Sequence, residues 1–163
     1  MSNQQKGSKM SHVIQQETLR RVAEIFDQHV PFHNLLGMDI KRYDMHGVEI
    51  EVKMKPELIG NIHQQILHGG VTATVLDVVG GLTAFSGLVA SRDDWTLEEL
   101  EQRIKTLGTI DMRVDYLRPG RGEIFTGTGT VIRAGNRVSV SRMELHNEKG
   151  DHIAFGTGTY MVG

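Results

Sequence analysis

The chain has 163 residues and a formal net charge of −2 at pH 7. That length suits one domain with a proper core, and the near-neutral balance gives no general attraction to nucleic acid or to an anionic membrane. There is no cysteine, which excludes disulfides, thiolate catalysis and Cys-ligated zinc.

Residues 1–15 are polar, lack an apolar signal-peptide core and read as a flexible tail before a single domain over 16–163; a cytoplasmic location is the expectation. From Glu17 to His29 the spacing of Leu19, Val22, Ile25 and Phe26 predicts an amphipathic helix, ended by Pro31. Met38–Tyr43 and Val48–Met54 predict two strands joined by a turn at Asp44–Gly47, with Val48, Ile50, Val52 and Met54 on the buried face. Pro56 to Gln65 reads as a loop, and loops of this kind carry polar site residues, here Asn61, Gln64 and Gln65.

The stretch Val71–Ala90 has one ionisable side chain, Asp77, and apolar residues on every face. Such a helix is wrapped by protein on all sides or lies in lipid. It is long enough to span a bilayer, but Asp77, two Thr, a Ser and Gly80-Gly81 argue against that and for a buried core helix. A carboxylate here must be tolerated somehow. Either Asp77 pairs with an arginine as a structural element, or it lines a cleft where a carboxylate serves a substrate.

His68, Gly69 and Gly70 open this helix, where unpaired N–H groups and the positive end of the helix dipole point outward. Without side chains at Gly69 and Gly70 a ligand can approach the backbone closely, which suits an oxyanion hole; the plain alternative is a tight turn. Gly69 and Asp77 are eight residues apart, about 12 Å along one helix axis. If both act on one bond, they come from antiparallel copies of this helix in a symmetric dimer.

Ser91–Leu107 begins with capping residues and predicts a short covering helix. Four strands follow, Thr109–Leu117, Glu123–Ala134, Arg137–Asn147 and Asp151–Met161, expected to form an antiparallel meander. The whole predicts an α+β fold: an antiparallel sheet curled around one long helix.

The order of elements, with HGGVTATVLD, VDYLRPGRGE, RAGNRVSVSRMELHNEKG and the terminal GTGTYMVG, resembles the hotdog-fold thioesterases of the PaaI class, and within them the YigI-type bacterial acyl-CoA thioesterases, over about residues 17–163. The resemblance implies hydrolysis of acyl-CoA esters, of medium to long fatty chains, without a metal or cofactor, by a homodimer or a dimer of dimers. It implies Asp77 as catalytic carboxylate, nucleophile or general base, and the Gly69 N–H as the group that polarises the thioester carbonyl. Asn61 would orient substrate or water, with Gln64 or Gln65 as substitutes, and His68 and Gly70 would help hold the thioester region. Arg113, Arg118, Arg121, Arg133 and Arg137 are the cations available to coenzyme A phosphates.

Other chemistry has little support. His63 and His68 lack a zinc-protease pattern, no G-x-S-x-G elbow is present, and GTGT sits in strands rather than in a phosphate loop. Two rivals share the fold: an acyl-CoA-binding sensor without turnover, and a hydratase or dehydratase of β-hydroxyacyl chains.

Overall fold

The computed structural model describes residues 3–163, with side chains placed from His12 onward. The order is α1 (Asn3–Gln28), α2 (Pro31–Leu36), β1 (Met38–Asp44), β2 (Gly47–Lys53), a 3₁₀ turn (Pro56–Leu58), β3 (Ile59–Asn61), β4 (Ile66–Leu67), α3 (Gly69–Ala90), α4 (Leu97–Lys105), β5 (Gly108–Tyr116), β6 (Ile124–Arg133), β7 (Val138–Asn147) and β8 (His152–Met161). Six strands form one antiparallel sheet in the order β1-β2-β6-β7-β8-β5, and β3 and β4 form a small separate ribbon. The sheet curls around α3, which is the hotdog arrangement.

The last four strands are not a continuous meander. β6, β7 and β8 follow one another, but β6 is already held by β2 on one side and β7 on the other. β5 therefore crosses to the far edge and pairs with β8. The segment predicted as the Pro56–Gln65 loop is also more ordered than expected, because it contains the 3₁₀ turn, β3 and the turn into β4.

The long helix is an apolar rod seated on small residues. On β6 and β8 the repeats Thr126-Gly127-Thr128-Gly129 and Gly156-Thr157-Gly158-Thr159 place their glycines on the buried face and their threonines outward, as the two-residue period of a strand requires. A methyl at Gly127 would stand 2.8 Å from Val75 Cγ1 and 2.9 Å from Val79 Cγ2 on α3. Glycine-threonine alternation thus lets the helix come close, while Val48, Ile50, Val52, Phe125, Met143 and Leu145 fill the space around it, all fully buried. Gly80 answers the same need from the helix side, because the Tyr160 hydroxyl occupies the place its Cβ would take. By length and composition α3 could cross a bilayer, yet 67% of its most apolar window is buried inside the protein.

Burial of α3 is incomplete along one stripe. Gly70, Ala73, Thr74, Asp77 and Val78 are partly or fully exposed, and positions three, four, seven and eight apart share one helix face. From Gly80 to Val89 every residue is buried.

The flanking helices cover the other end. α1 starts at Asn3 rather than near Glu17, so most of the stretch read as a tail is helical, and residues 1 and 2 lie outside the described part. Buried Gln15 donates from Nε2 to Val89 O at 2.9 Å and to Arg92 O at 3.0 Å, tying α1 to the end of α3. Pro31 ends that helix and opens α2, which closes at Gly37 with φ 74°, a left-handed cap that glycine adopts without strain. α4 begins with the reciprocal capping box of Thr96 and Glu99. It runs back beside α3 from Trp95, whose indole N–H donates to Leu88 O, to Leu107, which lies near Gly81. The predicted cover therefore flanks the second half of α3 and does not lie over Gly69.

Gly127→Ala tests the close approach. Its added methyl meets two stiff valine branches on a buried helix, and overpacking of this kind costs about 1–3 kcal/mol, whereas the outward Thr128→Ala should change stability by less than about 0.5 kcal/mol. Thermal unfolding of the two variants beside the parent checks the difference; equal melting temperatures would show that the helix has room to spare.

Candidate functional site

The first turn of α3 has four backbone N–H groups with no partner inside the helix. His68 is the N-cap, with φ −65° and ψ 134°. Its Nδ1 accepts from the Gly70 N–H at 2.8 Å, and its carbonyl accepts from Val71 N at 2.9 Å and Thr72 N at 3.2 Å. Because Nδ1 is an acceptor, a neutral His68 carries its proton on Nε2. Gly69 is left as the one amide of the four with no acceptor among the described residues. It therefore points the positive end of the helix outward through a single N–H.

The surroundings hold this end in place. His68 N donates to Leu58 O at 2.8 Å, and the Tyr116 hydroxyl at the end of β5 donates to Gly69 O at 2.8 Å. Gly60 of β3 packs so tightly on the His68 backbone that a Cβ would stand 2.6 Å from its Cα. Beside Gly69 opens a shallow pocket of about 390 Å³, walled by Ile66, Thr72, Tyr116, Leu117 and Arg118 among others. A larger groove of about 590 Å³ lies between α1 and α4 and touches neither Gly69 nor Asp77.

Asp77 lies two turns further along, on the open stripe of α3. It is half-buried rather than enclosed, so the burial penalty expected from the sequence is smaller than a fully wrapped helix would impose. No arginine pairs with it among the described residues. Thr109 on β5 donates its hydroxyl to Asp77 Oδ1 at 2.8 Å and fixes the carboxylate. Directly across the ladder from Thr109 is Tyr160, whose buried hydroxyl has no hydrogen-bond partner among the described residues. That hydroxyl fills the Cβ position of Gly80, which is three residues from Asp77 and on its face of the helix. Burial first, and then the nearby carboxylates of Asp77 and Asp111, push the Tyr160 phenol above its ordinary range, so it remains a proton donor.

The other sequence-derived residues divide. Asn61 stands at the end of β3, and its Oδ1 accepts from His63 N at 3.0 Å and Gln64 N at 3.1 Å, which makes it the keystone of the β3–β4 turn. Gln65 takes the positive φ of 53° in that turn and donates to Ile62 O at 2.6 Å. Arg121 clasps the same turn, with both terminal guanidinium nitrogens 3.0 Å from Gln64 oxygens. Arg118 donates to His152 O at 3.1 Å and lines the pocket by Gly69. Arg113 is exposed on β5 and pairs with Asp115 at 2.9 Å. Arg133 and Arg137 flank the β6–β7 turn, toward the C-terminal half of α3. The arginines thus do not converge on one point of the single chain.

Thr109 and Tyr160 were not singled out from the sequence. The available signal was the Gly80-Gly81 pair inside the long helix, which implies close packing against a strand or a partner helix but does not name Tyr160 as what fills the place.

A family model for the thioesterase superfamily matches residues 64–154, which carry α3, β5, β6 and β7. The medium/long-chain acyl-CoA thioesterase YigI of Escherichia coli (strain K12) is 48% identical over 148 residues, covering 91% of this chain and 96% of that protein. The protein of the same name from Salmonella typhimurium is 46% identical over the same shares. Among solved structures, a Shewanella oneidensis protein related to the thioesterase superfamily has 86% identity and a TM-score of 0.91, covering 92% of this chain and 98% of its own. A thioesterase-like protein of Syntrophus aciditrophicus has 36% identity and a TM-score of 0.78, covering 88% and 95%. With the family match running across the helix that carries Gly69 and Asp77, the chain belongs to the thioesterase superfamily.

Proposed function

We propose that this thioesterase hydrolyses medium- to long-chain acyl-CoA to free acid and CoA, with Asp77 of one chain and the Gly69 N–H of a second acting on the same thioester. The observation that carries this reading is the single unclaimed amide at the start of α3. Three of the four first-turn donors are consumed by His68, and the fourth has no acceptor among the described residues and belongs to a residue that lines a pocket. The names of the YigI relatives supply the substrate class.

In this reading the carbonyl oxygen of the thioester accepts from Gly69 N–H. Water attacks the carbonyl carbon and gives its proton to Asp77, and the negative charge that develops on the oxygen is held by that amide. The C–S bond then breaks, and the CoA sulfur leaves with the proton. Direct attack by the Asp77 carboxylate, followed by hydrolysis of the anhydride, uses the same atoms. Thr109 holds one carboxylate oxygen and leaves the other for the attacking step, and the Tyr160 phenol closes the space behind it. Asn61 acts at one remove, by shaping the turn that packs Gly60 onto His68. Arg118, at the pocket beside Gly69, is the arginine best placed for a CoA phosphate.

Two chains are needed because Gly69 and Asp77 are about 12 Å apart along one axis. The open stripe of α3 and the open edge of β5 supply a joint surface, since β1, at the other edge, is covered by α1. β5 exposes Ile110 and Tyr116 by about half, and Leu117 just beyond the strand is equally exposed. Two β5 strands paired antiparallel and centred on Met112 would set Asp111 of each against Arg113 of the other. Centring on Arg113 would instead oppose Asp111 and Asp115, which is unfavourable.

Three outcomes are expected. Thiol release from acyl-CoA esters of graded length should be lost in Asp77→Ala while the melting temperature stays near the parent's; with no cysteine in the chain, a thiol reagent sees only the product. A folded variant that keeps its turnover would remove Asp77 from the mechanism. Gly69→Pro deletes the proposed donor at the first helical position, where proline is tolerated, and His68 already has the extended backbone that proline demands of its predecessor. Its kcat should fall about 10²- to 10³-fold, the usual effect of one oxyanion donor, without loss of stability; an unchanged kcat would mean that another group polarises the carbonyl. Arg113→Asp should shift the chain from dimer toward monomer in light scattering and lower activity with it. A dimer of undiminished stability would place the interface elsewhere.

A further inference from the structure

The sheet face turned away from α3 carries a cluster that thioester hydrolysis leaves unused. Glu144 and His146 are two apart on β7 and so project from one face, and His152 on β8 is the direct ladder partner of His146. The three side chains are half-buried, and ligating atoms from all three lie within 4.8 Å of one another. The two imidazoles stack with centroids 4.4 Å apart and planes 14° off parallel. His152 Nε2 is shut off from solvent and has no hydrogen-bond partner among the described residues, an unfavourable state for a buried polar atom.

Nothing among the described residues neutralises this cluster. Glu144 is in no ion pair. Arg142, which shares its face, lies instead over the Phe155 ring at 3.8 Å. The other nearby cation, Arg118, is engaged with the main-chain oxygen of His152 and not with its ring. An unpaired carboxylate and two stacked imidazoles, one with an orphaned nitrogen, therefore face each other across two adjacent strands.

We propose that Glu144, His146 and His152 form a binding site for a divalent transition-metal cation of the zinc type. Two imidazoles and one carboxylate are a donor set that zinc accepts, with a fourth position left for water. Donors around a tetrahedral zinc stand roughly 3.4 Å apart, given bond lengths near 2.0–2.2 Å. Contraction from the present spacing needs only side-chain rotation, because the strands already place all three residues on one patch. The sheet separates this patch from Asp77 and Gly69, so the metal has no part in hydrolysis. It clamps β7 to β8, the strand that carries Tyr160.

The test is a calorimetric titration of chelator-stripped protein with Zn²⁺. One ion should bind per chain, and the melting temperature should rise with the Zn²⁺ concentration, as it must when a ligand binds the folded state alone. His146→Ala and His152→Ala should each weaken binding by at least roughly tenfold, the effect that even an outer contact to a bound metal commands. Both should melt like the parent when metal-free and keep their thiol-release activity. Absence of stoichiometric binding overturns the proposal. So does equally tight binding in the double variant, which would assign the ion to other histidines. Should either variant fail to fold, the visible spectrum of the Co²⁺-loaded parent decides: intense bands mark the expected four-coordinate site, and the weak bands of a six-coordinate ion reject it.

Discussion

Close contact between α3 and the inner face of the sheet governs the rest of the structure. A helix apolar on nearly every side must be enclosed, and a curved sheet encloses it only if the strand backbones can come near. Glycines on β6 and β8 give that approach, and Gly80 gives it from the helix toward Tyr160. Hydrophobic burial supplies the driving force, at roughly 25 cal/mol per Å² of apolar surface removed from water. The glycines decide where on the sheet it can be collected. Larger residues at these positions would lift the helix and break its contacts with Val48, Ile50 and Phe125 in turn.

That same seating positions the groups of the proposed chemistry. α3 is held along its second half, where Tyr160, Leu107 and the docked Gln15 all make contact, and is left open along its first half. The open half holds both the free amide of Gly69 and the carboxylate of Asp77. Rigid support at one end and exposure at the other is the arrangement that preorganisation requires, since a donor that need not move loses little on binding. His68 sharpens the effect. By taking the Gly70, Val71 and Thr72 amides it removes competing donors and leaves one direction of approach.

Much of this was legible in the sequence because it rests on local patterns. The helix from Gly69 to Ala90, the alternating β2 strand, the capping of α4 and the turn residues between the last strands all report through neighbouring residues. The departure of β5 to the far edge did not, because a strand's neighbour depends on which edges are already occupied, and that is decided by β2, sixty residues earlier. Thr109 stayed hidden for the same reason, since its role exists only once β5 lies beside Asp77. Asn61 stands out in the sequence by its polarity and its loop, and the fold adds that its Oδ1 accepts from two turn amides. Polarity in a loop says that hydrogen bonds will be made, and backbone geometry decides with which partner. The GTGT segments, featureless as motifs, acquire meaning only when strand alternation turns every glycine toward the helix.

The two edges of the sheet differ in a way that bears on how the protein works. β1 is covered by α1, and an irregularity in its ladder directs Ile40 N to Asp27 Oδ1 rather than along the strand. β5 carries a comparable irregularity near Ile110, and its row of Asp111, Arg113 and Asp115 alternates in sign. Alternating charge on an exposed edge deters indiscriminate pairing, yet it is self-complementary in one antiparallel register. Under the proposed dimer, the contact that satisfies the edge also covers the open stripe of α3 and brings Asp77 toward the other chain's Gly69. Assembly and catalysis then draw on a single surface, and a chain without its partner is folded around α3 but holds only half of each site.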